Sequence, residues 1–324
     1  MPATITHAYF GEDLYNNFND NIKEKINYDK KSIMMFSQNT DPLMFYNVYS
    51  VFPGKKYRKL QVKCHTTNTN LFFSTMINYM KEKKYYNDSM SLSFLYGFIS
   101  HFCLDSNAHP YIYYRTGEFK KNDKSTYKYN GLHTYMESYI DNYFIKKRNN
   151  NKRISLSKLC FKKDKFTNEL NDILDYSFSK VYKMNNLSKV YYKSLKQMNI
   201  FISLFMFDRY GIKKCLYRFI DLFIPKKFFK FKTLSYHLDN YDYLDYLNTK
   251  HSKWYYPVDK NISSSNSFND IYNSALEESI YIINEINKYF FEDKDIDINS
   301  LFKNKSYCTG IDCSSNKKMK YFCI

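Results

Sequence analysis

The sequence lacks the features that mark membrane-spanning, secreted and β-rich proteins. No apolar run approaches the roughly 18 residues of a membrane-crossing helix. The N-terminal stretch Met-Pro-Ala-Thr-Ile-Thr-His has no basic region and no long apolar region, so we expect no signal peptide and a cytoplasmic protein. The seven cysteines are odd in number and scattered, which argues against a disulfide framework. Strand-like alternation is scarce, so the chain is predicted to be an all-α, multi-helix bundle.

The composition allows a substantial core and favours anionic partners. Of the 324 residues, 44% are hydrophobic and 25% are charged, which excludes a disordered chain. A net charge of +17 favours phosphate esters, nucleic acid or an acidic lipid surface as partners. The same excess could instead reflect AT-rich coding, since Lys, Asn, Tyr and Ile are used heavily throughout.

A stretch dense in Lys, Arg and Asn at 147–165 is the best candidate for a boundary. It separates a helical core predicted at 1–147 from a helical C-terminal part at 166–324 that packs on it as one domain. We expect a loosely ordered tail from about residue 300. Apolar residues at helical spacing predict helices at 3–20, 90–109 (closed by Pro110), 168–184, 188–207, 209–224 and 267–291.

The stretch from Ile224 to Lys232 interleaves basic and aromatic residues. Such a pattern could contact phosphates or a lipid surface, or it could be a solvated amphipathic edge. The residues alone leave both interpretations open.

Potential metal ligands recur at steps of four residues. His101, Asp105 and His109 are spaced in this way, and each step turns only about 40° beyond a full helical circle, so the three share one helix face. His133 and Glu137 repeat the step, and Asp141 extends it. Imidazole and carboxylate groups on neighbouring helix faces are ligands that zinc favours.

Other candidates stand alone in the sequence. A single histidine such as His7 or His65 is more often structural, and Asp41 before a proline is usually a turn residue. Surface residues placed independently would not be expected to give two four-spaced His–carboxylate pairs in addition to these single candidates. We therefore predict a multinuclear metal site. His237 and His251 lack matching carboxylates and are interpreted as non-ligands. The predicted metal-binding set is His7, Asp41, His65, His101, Asp105, His109, His133 and Glu137.

The order of these residues and the sequence around them resemble those of a known family. The order is His, Asp, His, His-x-x-x-Asp, His and His-x-x-x-Glu. It is similar to that of the zinc-dependent phospholipase C family, within an all-helical superfamily that also holds single-strand-specific zinc nucleases and 3′-nucleotidases. The similarity covers roughly residues 2–145 and is closest to a bacterial branch. It is carried by Thr6 to Gly11, Asp41-Pro42, His65 to Phe73 and Gly97 to Gly117.

The resemblance implies up to three zinc ions. One would be held by His65, His101, Asp105 and Asp41, a second by His109, His133 and Glu137, and a third by His7 and the bridging Asp105. It also implies that a zinc-acidified water attacks phosphorus in line. Asp41 and Asp105 are then the candidate catalytic residues, with Asp41 as the base that orients the water. Manganese or iron could also fill such mixed nitrogen and oxygen sites.

One departure from the family concerns the third ion. Secreted members complete it with the amine and carbonyl of a processed N-terminal Trp, which this sequence does not have. We expect Met1 to be removed, and the hypothesis is that the amine of Pro2, or a backbone group near it, takes that role.

Three functions are compatible with these residues. The first is a phosphodiesterase that hydrolyses phospholipid head groups, with peripheral contact to an acidic membrane. The second is a zinc nuclease or nucleotidase, in which some of the 35 Tyr and 28 Phe residues would stack on bases. The third is a non-catalytic, zinc-stabilised binding protein. A histidine–aspartate phosphohydrolase is disfavoured because the adjacent His-Asp pair is missing.

Overall fold

The computed structural model describes residues 4–49, 54–149, 156–237, 245–315 and 317–323. Helices dominate this part of the chain, so the all-α prediction is confirmed. Strands β1 (Trp254–Tyr256) and β2 (Asp259–Ser264) form a small antiparallel hairpin, in which Trp254 pairs with Ser264. The helices are α1 Thr4–Asn16, α2 Asp20–Lys25, α3 Lys30–Phe36, α4 Lys55–Thr66, α5 Thr69–Glu82, α6 Ser89–Thr116, α7 Leu132–Arg148, α8 Leu156–Leu159, α9 Asn168–Tyr182, α10 Leu187–Phe201, α11 Ile212–Phe223, α12 Phe268–Phe291 and α13 Ile298–Phe302.

Helix α6 lies at the centre of the bundle. It is apolar or buried on every side because α1, α3, α7, α9 and α12 all pack around it. The Asp88 side chain caps its first turn by accepting a hydrogen bond from the Ser91 N–H. Gly117 ends it with a positive φ of 69°, a conformation that glycine adopts at little cost. Three of the predicted ligands therefore lie on the most enclosed helix of the fold.

The prediction that Pro110 closes this helix is wrong. Helix α6 continues to Thr116, so the proline lies inside it. A proline in a helix leaves the carbonyl four residues earlier, here that of Ser106, without its helical donor. Gly310 packs against both groups: a Cβ there would lie 2.6 Å from the Ser106 carbonyl oxygen and 2.9 Å from the Pro110 ring. The fold thus accommodates the interrupted turn with a residue from the far end of the chain.

The helices predicted in the C-terminal half are all present, with shifted ends. Helix α10 gives way to one π turn at Ile202–Met206 rather than running on to residue 207. Helix α12 starts at a capping box in which the Ser267 hydroxyl and the Asp270 carboxylate satisfy each other's backbone N–H groups. This helix packs along α6. The division at 147–165 stays a prediction, and part of it, 150–155, lies outside the described residues.

The expected loose tail does not hold for residues 298–315. Helix α13 packs on α5, and the ring of Phe302 stacks on Phe73 with centroids 4.0 Å apart. Tyr307 is 3% exposed, and its N–H donates to the carbonyl of His65 at 2.9 Å. The buried residues that carry this packing are Ile298, Phe302 and Tyr307. Among the helices of the described residues, none combines the length and apolar character needed to cross a bilayer.

Gly97 brings α6 and α3 into direct backbone contact. A Cβ at this position would lie 2.7 Å from the carbonyl carbon of Phe36 and 2.8 Å from the nitrogen of Ser37. Only a residue without a side chain fits here. This contact fixes the position of α6 along its own axis relative to the end of α3. It lies one turn before His101.

We predict that Gly97→Ala destabilises the fold by about 1–3 kcal/mol, because the added methyl group must push two packed backbones apart. Urea unfolding would measure the change. The control is Ser93→Ala on the same helix, which removes a buried hydroxyl that has no hydrogen-bond partner among the described residues and should therefore be neutral or stabilising. Equal stability of the two variants would contradict the role of Gly97.

Candidate metal centre

Helix α6 places three of the predicted ligands along one buried line. His101, Asp105 and His109 are 0%, 5% and 9% exposed. The Nε2 atom of His101 lies 3.0 Å from Oδ2 of Asp105, and Nδ1 of His109 lies 3.5 Å from the same oxygen. The four-residue spacing thus places the three ligands on one helix face, as predicted.

Helices α1 and α4 bring two further histidines to the same carboxylate. Nε2 of His7 lies 3.1 Å from Oδ1 of Asp105, and Nε2 of His65 lies 3.7 Å from Oδ2. Asp41 starts a 3₁₀ turn, Asp41–Phe45, and its Oδ1 lies 3.3 Å from Nε2 of His65. The carboxylate before Pro42 therefore points into the site.

Helix α7 supplies the remaining pair. Nε2 of His133 lies 3.1 Å from Oε1 of Glu137, and Nε2 of His109 lies 3.4 Å from the same oxygen. Glu137 is only 2% exposed. His109, His133 and Glu137 form a group at the C-terminal end of the row of ligands on α6.

All eight predicted residues fall into groups whose ligand atoms lie within 4.8 Å of one another. His101 belongs to two of these groups, although its single free nitrogen can bind only one ion at a time. It lies beside His65 and Asp41 in one group and beside His7 and Asp105 in the other. Among the described residues the groups are His7, His101 and Asp105; Asp41, His65 and His101; and His109, His133 and Glu137.

Backbone carbonyls fix the tautomer of three histidines. Nδ1 of His65 donates to the Gln61 carbonyl at 2.9 Å, Nδ1 of His101 to the Ser37 carbonyl at 2.8 Å, and Nδ1 of His109 to the Tyr307 carbonyl at 2.9 Å. A carbonyl can only accept, so the proton must lie on Nδ1 and the lone pair on Nε2. That is the form of histidine that binds a metal.

These tautomers leave a conflict that a cation would resolve. Nε2 of His65 and Nε2 of His101 lie 3.4 Å apart, and each would direct its lone pair toward the other. Nδ1 of His7 and Nδ1 of His133 are also buried without a hydrogen-bond partner in the described part of the chain. The lone pairs of His65 and His101 converge beside the carboxylates of Asp41 and Asp105, and this arrangement fits a zinc centre.

The pKa directions differ within the site: the carboxylates are held ionised, whereas burial lowers the pKa values of His7 and His133. Burial alone would lower the pKa of His109, but Asp105 and Glu137 outweigh it and raise that pKa to about 9. Burial likewise opposes ionisation of Asp41, yet His101 and His65 hold its pKa at about 2. The pKa values of Asp105 and Glu137 also lie well below their usual range, because burial is outweighed by the neighbouring histidines. All the carboxylates in the cluster are therefore available as anionic ligands.

Asp141 does not join any of the metal groups. Its buried carboxylate accepts hydrogen bonds from the Thr6 N–H at 2.7 Å, from the Thr6 hydroxyl at 2.6 Å and from the Ile5 N–H at 3.3 Å. Burial outweighs these donors and raises its pKa to about 7. Its role is to hold the first turn of α1, and with it His7, against α7.

Several contributors could not be found from ligand spacing. Gln61 donates from its side chain to Oδ1 of Asp41 at 2.9 Å, and it stands one helical turn before His65, where the four-residue step could have revealed it. The carbonyls of Ser37 and Tyr307 carry no sequence signal, because any residue has a carbonyl. His237 and His251 lie in none of the groups, and their interpretation as non-ligands stays a prediction. Pro2 lies outside the described residues.

The ligand groups open into a cavity of about 870 Å³. Predicted ligands from each group, with Arg58 and Gln61, form the polar part of its lining. The rest of the lining is apolar and aromatic, and much of it comes from residues after 200. This apolar lining includes Met44, Phe45, Phe201, Met206, Phe229 and Phe231.

The chain was also compared with known proteins. A family model described as zinc-dependent phospholipase C matches residues 6–184, which is more than half of the 324 residues. No curated protein and no solved structure matches the chain. The matched segment contains every residue of the ligand groups.

We predict that tag-free protein binds zinc and that the His101→Ala/Asp105→Ala double variant loses the ions of the two groups that share these residues. The group of His109, His133 and Glu137 should keep its ion, because none of its members changes. Mass spectrometry of metal content would measure this. The control is His251→Ala, which removes an exposed histidine outside the groups. Unchanged zinc in the double variant would refute the assignment.

We predict that Asp141→Ala lowers the free energy of unfolding by about 2–4 kcal/mol, because it strands buried donors at the start of α1. It should also weaken metal binding by the group that contains His7. Denaturant unfolding and metal content would measure the two effects. The control is Ser138→Ala on the same helix, which removes a buried hydroxyl for which the described part of the chain offers no hydrogen-bond partner. If both variants were equally stable, Asp141 would not hold α1.

Proposed function

Because the chain belongs to the zinc-dependent phospholipase C family, we propose that it is a phosphodiesterase that hydrolyses phospholipid head groups. The observation that carries this proposal is the cavity, whose lining combines the ligand groups with apolar and aromatic side chains. A phospholipid has the matching halves, a phosphodiester and acyl chains. Cytoplasmic location and bacterial origin stay predictions.

The proposed ligands are the eight residues of the three groups. Each group would hold one zinc ion. When bound, zinc would lower the pKa of a water molecule and act as a Lewis acid toward phosphate oxygens. His7 and Asp105 would need a further ligand, for which the Pro2 amine is our candidate.

The remaining polar residues would position the substrate and the water. Asp41 is ionised at neutral pH, so its carboxylate can orient a neighbouring water as the acceptor toward which the proton of the water points, while the Gln61 side chain donates to Oδ1 of Asp41. The guanidinium of Arg58 also lines the cavity, where it would attract the phosphodiester. Burial of the site would strengthen both effects.

A nuclease or nucleotidase is the second candidate. The rings of Phe201, Phe229 and Phe231 in the cavity wall could stack on bases. The apolar lining of the cavity has few donors or acceptors that could read base edges, however, and such a lining suits acyl chains better. A zinc-stabilised binding protein without activity is the third candidate.

We predict that the zinc-loaded protein releases diacylglycerol and a phosphorylated head group from phospholipids. Asp41→Asn should lower kcat about 10²–10⁴-fold, because an amide cannot accept the proton of the water. Product analysis by chromatography and mass spectrometry would measure both.

The control is Asp20→Asn, which changes an exposed carboxylate away from the cavity. Faster cleavage of single-stranded nucleic acid than of lipid would favour the second candidate. Full zinc content with no hydrolysis of either substrate would favour the third candidate, a zinc-stabilised binding protein without activity.

A further inference from the structure

Helix α11 exposes its apolar side and buries its polar side. Residues 212, 216, 219 and 223 share one face at the helical period, and all of them are large and apolar. The opposite face contacts the protein through Lys214 and Tyr217, which are 3% and 8% exposed. The exposed side chains are Ile212 at 70%, Leu216 at 55%, Phe219 at 60%, Leu222 at 77% and Phe223 at 72%.

Hydrogen bonds hold the helix in this orientation. Nζ of Lys214 donates to the His237 carbonyl at 2.8 Å, and the hydroxyl of Tyr217 donates to the Phe205 carbonyl at 2.9 Å. The Asp221 carboxylate accepts from the backbone N–H groups of residues 231 and 232, at 2.8 and 3.0 Å. Turning the apolar face inward would break all of these contacts, so its exposure is built into the local structure.

Aromatic contacts connect α11 to the lining of the cavity through the buried ring of Tyr217. The ring of Tyr217 lies 6.3 Å from that of Phe231, which lies 5.9 Å from that of Phe229. Both phenylalanines are partly exposed, and both line the cavity that contains the metal groups. The π turn beside them adds Leu204 and Phe205, which are also exposed.

The charge around this surface is strongly positive. Residues 209–232 contain eight Lys and Arg residues against one acidic residue, Asp221, whose carboxylate is already occupied by backbone donors. Arg209, Arg218, Lys226 and Lys227 are exposed. Two copies of this surface would repel each other, whereas an anionic lipid surface would attract it through each nearby cation.

We propose that this surface docks the protein on an anionic lipid bilayer, with the cavity mouth facing the lipid. The docking surface consists of the apolar face of α11, the π turn at Ile202–Met206 and the aromatic residues at 228–231. The inference rests on the proposed function, since a phospholipid substrate lies in a bilayer. An amphipathic helix with an apolar face and basic flanks is the usual element for lying in a membrane interface.

The first experiment measures binding to vesicles in an Asp41→Asn background, in which hydrolysis does not alter the lipid. We expect binding to vesicles of phosphatidylcholine and phosphatidylserine in equal parts, weakening with salt. Leu216→Asp/Phe219→Asp should weaken it at least about tenfold, since burying one such side chain contributes that much affinity or more. The matched control is Tyr281→Asp, which alters an equally exposed residue on α12 and should bind unchanged. Circular dichroism would check that each variant is folded.

The second experiment separates this inference from the proposed function. With Asp41 intact, the Leu216→Asp/Phe219→Asp variant should hydrolyse a monomeric short-chain phospholipid at the normal rate, yet lose hydrolysis of vesicles. Vesicle binding that is the same with and without these substitutions would overturn the docking surface and leave the function standing. Vesicle binding through α11 without any hydrolysis would refute the function alone. A lipid-free dimer that the substitutions dissociate would show a protein interface instead, and would overturn the inference.

Discussion

One buried carboxylate, that of Asp105, organises the centre of this fold. Nitrogens of four histidines lie within 3.7 Å of its oxygens, and they come from α1, α4 and α6. A charge with such little exposure is stable only beside compensating charge and hydrogen bonds. The helices that carry those partners must therefore converge on α6, and the bundle can be understood as the arrangement that lets them do so. The close contact at Gly97 is part of this, because it places the end of α3 beside His101.

A second requirement is that each imidazole present the correct nitrogen. Carbonyls of Ser37, Gln61 and Tyr307 meet this requirement for three histidines, and they belong to the end of α3, to α4 and to the C-terminal tail. The tail is thus tied to the site through its backbone. Tyr307 also packs its ring against that of His65, with centroids 4.4 Å apart. Stability of the bundle and geometry of the site are consequently linked over more than 200 positions of sequence.

Sequence periodicity predicted the helices and the paired ligands for the same reason. A helical face is a local property, so the steps from His101 to His109 and from His133 to Glu137 were visible without the fold. His7, Asp41 and His65 were ambiguous individually, and only their order in a family resemblance placed them. Asp141 extended the four-residue step, yet it holds α1 instead, because a carboxylate one turn further along α7 meets the start of α1. The continuation past Pro110 and the packing of the tail depend on Gly310 and Tyr307, whose partners are remote and leave no local pattern.

The residues that line the cavity come from two parts of the chain, and this bears on specificity. Every residue of the ligand groups lies within the matched segment 6–184, as do the apolar Met44 and Phe45. Phe201, Met206, Phe229 and Phe231 line the same cavity from beyond that segment. Much of the apolar lining that would contact the non-reacting part of a substrate therefore lies outside the family match. Because binding energy from such remote contacts distinguishes one substrate from another, the choice of substrate should depend on residues 201–234 rather than on the metal ligands. The inverted helix α11 belongs to the same segment, so a single stretch of chain would set both what enters the cavity and which surface the cavity faces.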